Sequence, residues 1–176
     1  MVQRSGFYVD NNSIIQRIVS IEWDLGFDAY AKQRYIERIK NAFGDDKGIL
    51  LDVTSASNEF AGKMLSPIFV KMKNEGVSVE DYLHKLQLRV PNLFEISGAT
   101  DYVYLSNLSK FNKETIQKYH CFSDVFHNPA KQYGNTQACS LAVYKLLCAQ
   151  DKEALLGNAE EFLNWYQSID FQKEEL

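Results

Sequence analysis

Several features are scarce in this chain, and each scarcity excludes a class. Only 3 proline and 9 glycine occur among 176 residues, which rules out collagenous chains and Pro/Gly-rich disorder. No apolar run approaches the roughly 18 residues of a membrane-spanning helix, so no membrane partner is expected. The start, Met1-Val2-Gln3-Arg4-Ser5-Gly6, carries no apolar signal region. Three cysteines, Cys121, Cys139 and Cys148, are odd in number and far apart. They read as free thiols in a reduced cytoplasm, not as a disulfide framework. Cations are not in excess: 19 Lys+Arg face 23 Asp+Glu, for a net charge of −4. That argues against a dominant non-specific grip on a phosphate backbone, while leaving room for a local basic patch. GxGxxG, GxxxxGK[ST] and GxSxG are all missing, so the common phosphate loops and the nucleophile elbow are too.

What is present is a globular composition, 45% hydrophobic and 24% charged, with 10 Tyr, 11 Phe and 2 Trp. A chain of this length can bury roughly 70% of the surface its unfolded form exposes, and it reads as a single domain over residues 1–176. Phe7-Tyr8-Val9 and Ile18 to Trp23 read as short strands, being β-branched or aromatic around Asn11-Asn12-Ser13. Residues 29–43 repeat apolar positions at helical spacing through Tyr35, Ile36, Ile39 and Phe43. Gly48 to Thr54 reads as a buried strand, Leu65 to Lys73 as helical with Pro67 in its first turn, and Val79 to Val90 as a helix. Ser78 with Asp81 forms a capping-box-like start for that helix, and Pro91 stops it. Residues 101–105 suit either strand or helix, 112–118 a short helix, and 121–126 a strand. Asn128 to Gly134 reads as a loop and Asn135 to Ala149 as a helix. A C-terminal helix is expected over 152–167, with a frayed tail over 171–176. The expected class is α+β, mostly helical with a few short strands.

Helical geometry then groups the chemistry. On the Val79 helix, Glu80, His84 and Gln87 form a polar stripe beside the apolar arc of Val79, Tyr82, Leu83, Leu86 and Val90. A carboxylate there suits acid–base work if partly desolvated, or simply complements the helix dipole. The helix from Asn135 is apolar around most of its circumference, with a narrow side bearing Gln137, Ser140 and Tyr144. On a central helix those groups need partners from protein, water or a ligand, although a plain solvent-facing stripe is the commoner case. Lys145 falls in the apolar arc and should snorkel or pair. Ser55 and Ser57, after a strand, can offer an anion hydroxyls and N–H groups, or cap their own loop. Trp23 can stack on a base or belong to the core. His120, Cys121 and His127 lack a sensibly spaced fourth metal ligand.

Five segments, in order, resemble the bacterial NADAR family of N-glycosidases, most closely the branch encoded beside DNA-modifying ADP-ribosyltransferase toxins. They are Trp23 to Phe27 with Lys32 to Ile36; Leu51 to Ser57 with Gly62 and Leu65-Ser66-Pro67; Ser78-Val79-Glu80; Thr100 to Tyr104; and Tyr119 to Phe126 with Asn128-Pro129 and Asn135 to Ala138. The resemblance implies removal of ADP-ribose from a nucleobase through an oxocarbenium-like state, stabilised by a carboxylate. It assigns catalysis to Glu80 and Asp101. It carries over Asp124, Asn128, Asn135 and Gln137 as matching positions, and the expected ligand-binding set is completed by Trp23, Ser55, Ser57, Ser66, His84, Gln87, Tyr102 and Lys131. It implies no cofactor and no metal. The implied partners are ADP-ribose, ADP-ribosylated nucleic acid, and a toxin or defence protein. The family's lysine, seven residues after the glutamate, is Gln87 here, and Lys85 lies about 160° around the helix from it. Only Leu88 to Ala99 joins the third and fourth segments, where the family has a longer stretch. Two alternatives follow: a lapsed relative that still binds ADP-ribose, a nucleotide or a protein, and a phage- or defence-related interaction protein without a ligand site.

Overall fold

The computed structural model describes residues 1–24, 26, 28–57, 59–127 and 136–176. A five-stranded mixed sheet organises the chain, in the order β3-β4-β1-β2-β5. β1 (Val2–Asp10) and β2 (Ser13–Ile21) form an antiparallel hairpin of nine-residue strands. Asn11 turns it with φ 53°, a left-handed conformation that Asn tolerates. β3 (Leu50–Asp52) runs parallel to β4 (Cys121–Ser123), which pairs antiparallel with β1. Adjacent apolar residues in these strands face opposite ways. Phe7, Ile14, Leu51 and Phe122 pack into the larger core with α6 (Gln137–Ala149). Tyr8, Ile15, Leu50 and Cys121 pack with Phe43 on the other side. There α1 (Ala29–Phe43) also covers Val19 and Ile21 with Tyr35, Ile36 and Ile39. Burial on both faces explains why the strands read as continuous apolar runs.

The expected α+β class is what the chain adopts, with seven α-helices among the described residues. α1 spans the residues expected of it, capped by Asp28, whose side chain accepts from the Ala31 N–H at 2.8 Å. α3 (Val79–Arg89) starts where Ser78 accepts from the Asp81 N–H at 3.2 Å. Residues 101–105 resolve as helix, within α4 (Ala99–Ser106). α5 covers Lys110–Ile116.

Three expectations are corrected. The expected helix over 65–73 is not formed; α2 (Phe60–Met64) precedes it. Ser66 O accepts from the N–H groups of Phe69 and Val70, and Met72 N–H donates to Val77 O, so the chain turns back as a loop ahead of α3. The C-terminal helix starts late: Glu153–Gly157 is a 3-10 turn, and α7 is Ala159–Tyr166, with Asn158 accepting from the Glu161 N–H. The expected frayed tail is strand β5 (Asp170–Glu175), parallel to β2. Its anchor is Arg17, buried on β2, which bonds Glu174 at 3.1 Å and Asp46 at 2.7 Å. Tyr8 adds a 2.8 Å hydroxyl bond to the same glutamate, and Leu176 N–H closes onto Ile18 O.

Candidate functional site

β3 and β4 are a parallel pair, and acids gather at their carboxyl ends, where open α/β sheets present ligand sites. Asp52, the last residue of β3, has no exposed surface. Its carboxylate accepts from Thr54 Oγ1 at 3.0 Å, Ser123 Oγ at 2.8 Å and Val125 N–H at 3.0 Å. Asp124, just past β4, accepts from Phe126 N–H at 3.1 Å and from Gln137 Nε2 at 3.2 Å. Gln137 Nε2 also donates to Val53 O at 2.8 Å, which ties the start of α6 to the strand ends. Burial pushes Asp52 up to about 7, with the neighbouring Asp124 charge adding to it. Asp124 itself rises to about 6, again through burial, against its hydrogen bonds and the nearby Arg4.

Gln137 also lines a small cavity. Pro67, Val79 and Leu83 form its apolar side, and Thr100, Gln137 and Ser140 its polar side. Its volume is about 40 Å³, room for one or two waters and far below the ~300 Å³ of a small-molecule pocket. The wall with least attachment is α3, on which only Val79 is fully buried. Behind the polar wall lies Asp101, with no exposed surface. Ser140 Oγ donates to its Oδ1 at 2.7 Å, and its Oδ2 has no hydrogen-bond partner. The ring of Tyr166 packs where a Cβ on Gly98 (φ 85°) would sit, and its hydroxyl and Asp101 raise and lower each other's pKa. Burial lifts Asp101 to about 6.

That shift carries a stability prediction. The folded state holds the Asp101 proton more tightly than the unfolded chain does. Its contribution is therefore fully present below about pH 4 and is lost as pH rises through about 6. Between pH 5 and pH 8 this group should weaken the fold by roughly 1.5 kcal/mol. Asp101→Asn is expected to remove that slope from thermal melts run across the range. An unchanged slope in the variant would refute the assignment.

The residues expected to form the site are thus partly brought together. Gln137 and Asp124 bond each other; Glu80 follows Val79, and Asp101 follows Thr100, at the cavity walls. Glu80 is half-buried in the first turn of α3, and its carboxylate has no hydrogen bond or ion pair among the described residues. Gln87 is half-buried and His84 exposed on the same helix. Ser66 is buried in the loop before α3, Ser57 is buried and accepts from Glu59 N–H, and Ser55 is exposed. Tyr102 packs on Phe162, 5.4 Å between centroids. Trp23 stacks on Tyr35 at 3.9 Å, with the Arg4 guanidinium 4.4 Å from its ring centroid, so protein occupies both faces. Asn128, Lys131 and Asn135, with the expected loop from Asn128, lie outside the described residues.

The expected solvent-facing stripe on α6 is instead satisfied by protein, with Gln137 half-buried and Ser140 and Tyr144 buried: Gln137 by Asp124, Ser140 by Asp101, and Tyr144 by Glu153 at 3.2 Å. Lys145 pairs with Gln117 at 3.2 Å, as its place in the apolar arc required. Asp52, Thr54, Thr100 and Ser123 were not singled out from sequence. The only available signal was a pair of acids, each at the end of an apolar strand. A wider, open groove of about 610 Å³ runs past Lys40, Asp45 and Glu59. Its Glu59 is already engaged by Lys40 and Tyr119.

Fold and site together define an α+β protein in which a strand-end acid, Asp124, holds Gln137 of a central helix at the polar wall of a small cavity. Residues 93–176 match the family model of DarT1-associated NADAR antitoxins. The match agrees with the resemblance read from the sequence and covers just under half of the chain. It spans Asp101, Tyr102, Asp124 and Gln137; Glu80 and Gln87 precede it. No curated protein matches the chain. No helix among the described residues is long and apolar enough to cross a membrane.

Proposed function

We infer that this protein is an N-glycosidase-type ADP-ribosyl hydrolase that removes ADP-ribose from a nucleobase. One observation carries the reading: Glu80, a carboxylate with no partner among the described residues, directly follows Val79 in the wall of a cavity whose polar side, Thr100, Gln137 and Ser140, belongs to the family-matched segment. In the reaction, the bond between the anomeric carbon and the base nitrogen breaks. Its electron pair leaves with the base, which takes up a proton. Water adds to the carbon and gives its own proton to a carboxylate. Glu80 is the group that faces the developing positive charge and accepts that proton. Asp124, at about 6, exchanges protons near neutral pH and holds Gln137. Asp101 acts through Ser140, whose hydroxyl it fixes at the wall. A ligand of nucleotide size enters by displacing α3 and the Pro67 loop from α4 and α6.

Gln87 favours a second reading. An amide cannot form the iminium that a lysine at this position would form, and a lapsed relative would bind ADP-ribose, or a DarT-type toxin, without turnover. The assay is incubation with an ADP-ribosylated oligonucleotide, alongside calorimetry with ADP-ribose. Release of ADP-ribose is the expected result. Binding without release would select the second reading, and neither would leave only the protein-partner role. Gln87→Lys is expected to raise turnover about tenfold, a fraction of the ~100-fold or more that a fully positioned group contributes. No gain on an active background would show that position 87 does not face the sugar.

A further inference from the structure

The acid that sequence reasoning passed over, Asp52, is placed around Asp124 in a way that simple strand closure does not require. β3 and β4 pair in register with Asp52 opposite Ser123. From there one carboxylate oxygen of Asp52 takes the Ser123 hydroxyl at 2.8 Å and the Val125 N–H at 3.0 Å. Those are the residues immediately before and after Asp124. The other oxygen is tied to Thr54, two residues along its own chain, at 3.0 Å. Val53, between them, supplies the carbonyl that shares Gln137 Nε2 with Asp124. Val125 O in turn accepts from the buried Arg4 Nε at 2.5 Å. Asp52 therefore holds the residues on either side of Asp124, while Asp124 and the carbonyl of Val53, next to Asp52 in the chain, hold the same Gln137.

We propose that Asp52 is the positioning residue of this site: it holds Ser123 by its hydroxyl and Val125 by its backbone N–H, the residues on either side of Asp124, and the two carboxyls act as one coupled pair that sets the charge presented to Gln137 and the cavity. The groups that face the pair are Arg4 from β1, neutral Gln137 from α6, the hydroxyls of Thr54 and Ser123, and the backbone N–H of His127. Arg4 favours the ionised Asp124, while burial disfavours charge on both acids. The second proton to leave departs against the charge of the first, so the pair passes from one negative charge to two near neutral pH. This rests on the glycosidase reading for what Asp124 does in the reaction, but not for how Asp52 holds it.

The test uses the unliganded full-length protein, so a null result is distinct from a failure to hydrolyse. In amide NMR, the Val125 N–H reports Asp52 and the Phe126 N–H reports Asp124. Asp124→Asn is expected to lower the Val125 midpoint, near pH 7 in the unaltered protein, by about half a unit or more. Asp52→Asn is expected to abolish the Val125 titration and to speed solvent exchange of the Gln137 side-chain amide roughly tenfold. In an active protein it is also expected to lower kcat with little change in KM. If Asp52→Asn does not fold, Ser123→Ala removes one arm of the clamp; it should raise the Val125 midpoint and speed Gln137 exchange in the same direction. A Val125 midpoint unmoved by Asp124→Asn, or Gln137 exchange unmoved in the clamp variant that folds, overturns the proposal.

Discussion

Glu80→Gln is expected to slow release of ADP-ribose at least 100-fold, since a positioned acid or base contributes ~100- to 10,000-fold. The exchange is isosteric and removes one charge. Because the carboxylate bonds to nothing among the described residues, the fold loses little with it. The exposed part of a first-turn acid's favourable interaction with the helix dipole is worth about 0.3–1 kcal/mol, so the melting temperature should move by about 4 °C at most. ADP-ribose affinity should stay within about threefold, because a neutral amide can still meet the ribose. Activity equal to the unaltered protein would refute the role of Glu80, whatever the fate of the other residues. Loss of affinity together with activity would instead make it a binding group.

How much of this was legible follows from where the information sits. The Ala29–Phe43 helix was readable because Tyr35, Ile36, Ile39 and Phe43 all face one buried surface, so periodicity and structure report the same thing. The Val79 helix was readable from its cap, Ser78. β5 was not, because its residues, Asp170-Phe171-Gln172-Lys173-Glu174-Glu175, show no apolar alternation. What seats it is a buried arginine 157 positions earlier in the chain. The break in the last helix was written in Gly157-Asn158, a stop followed by a cap, but the apolar spacing on either side masked it. For the site, residues on one helix face were correctly grouped, as with Gln137, Ser140 and Tyr144. Their partners come from β4, α4 and the turn before α7, and spacing along one helix carries no information about those. The same limit explains Asp101. Its matching segment marked it as acidic and functional, while only packing against Ser140 and Tyr166 shows that it stands behind the wall and not on it.

Gly62→Ala is expected to destabilise the fold by about 3 kcal/mol, the upper range for overpacking, lowering the melting temperature by roughly 6–12 °C. The sign is the informative part. In an ordinary helix this exchange stabilises by up to about 1 kcal/mol, since Ala loses less backbone entropy. Gly62 lies in α2, buried, and a Cβ there would overlap the Asp52 carbonyl oxygen and the Ser57 side chain. A backbone oxygen at the end of a buried strand cannot swing aside as a surface side chain would. α2 must lift away, and with it the turn through Thr54 and Ser57 that supplies one of the three donors to the Asp52 carboxylate. The loss should therefore appear twice: as a lower transition in thermal melts, and as a shift in the Val125 amide titration that reports Asp52. A stabilised variant would mean that α2 does not press on the end of β3. A destabilised variant with an unmoved titration would separate the packing of α2 from the acid pair.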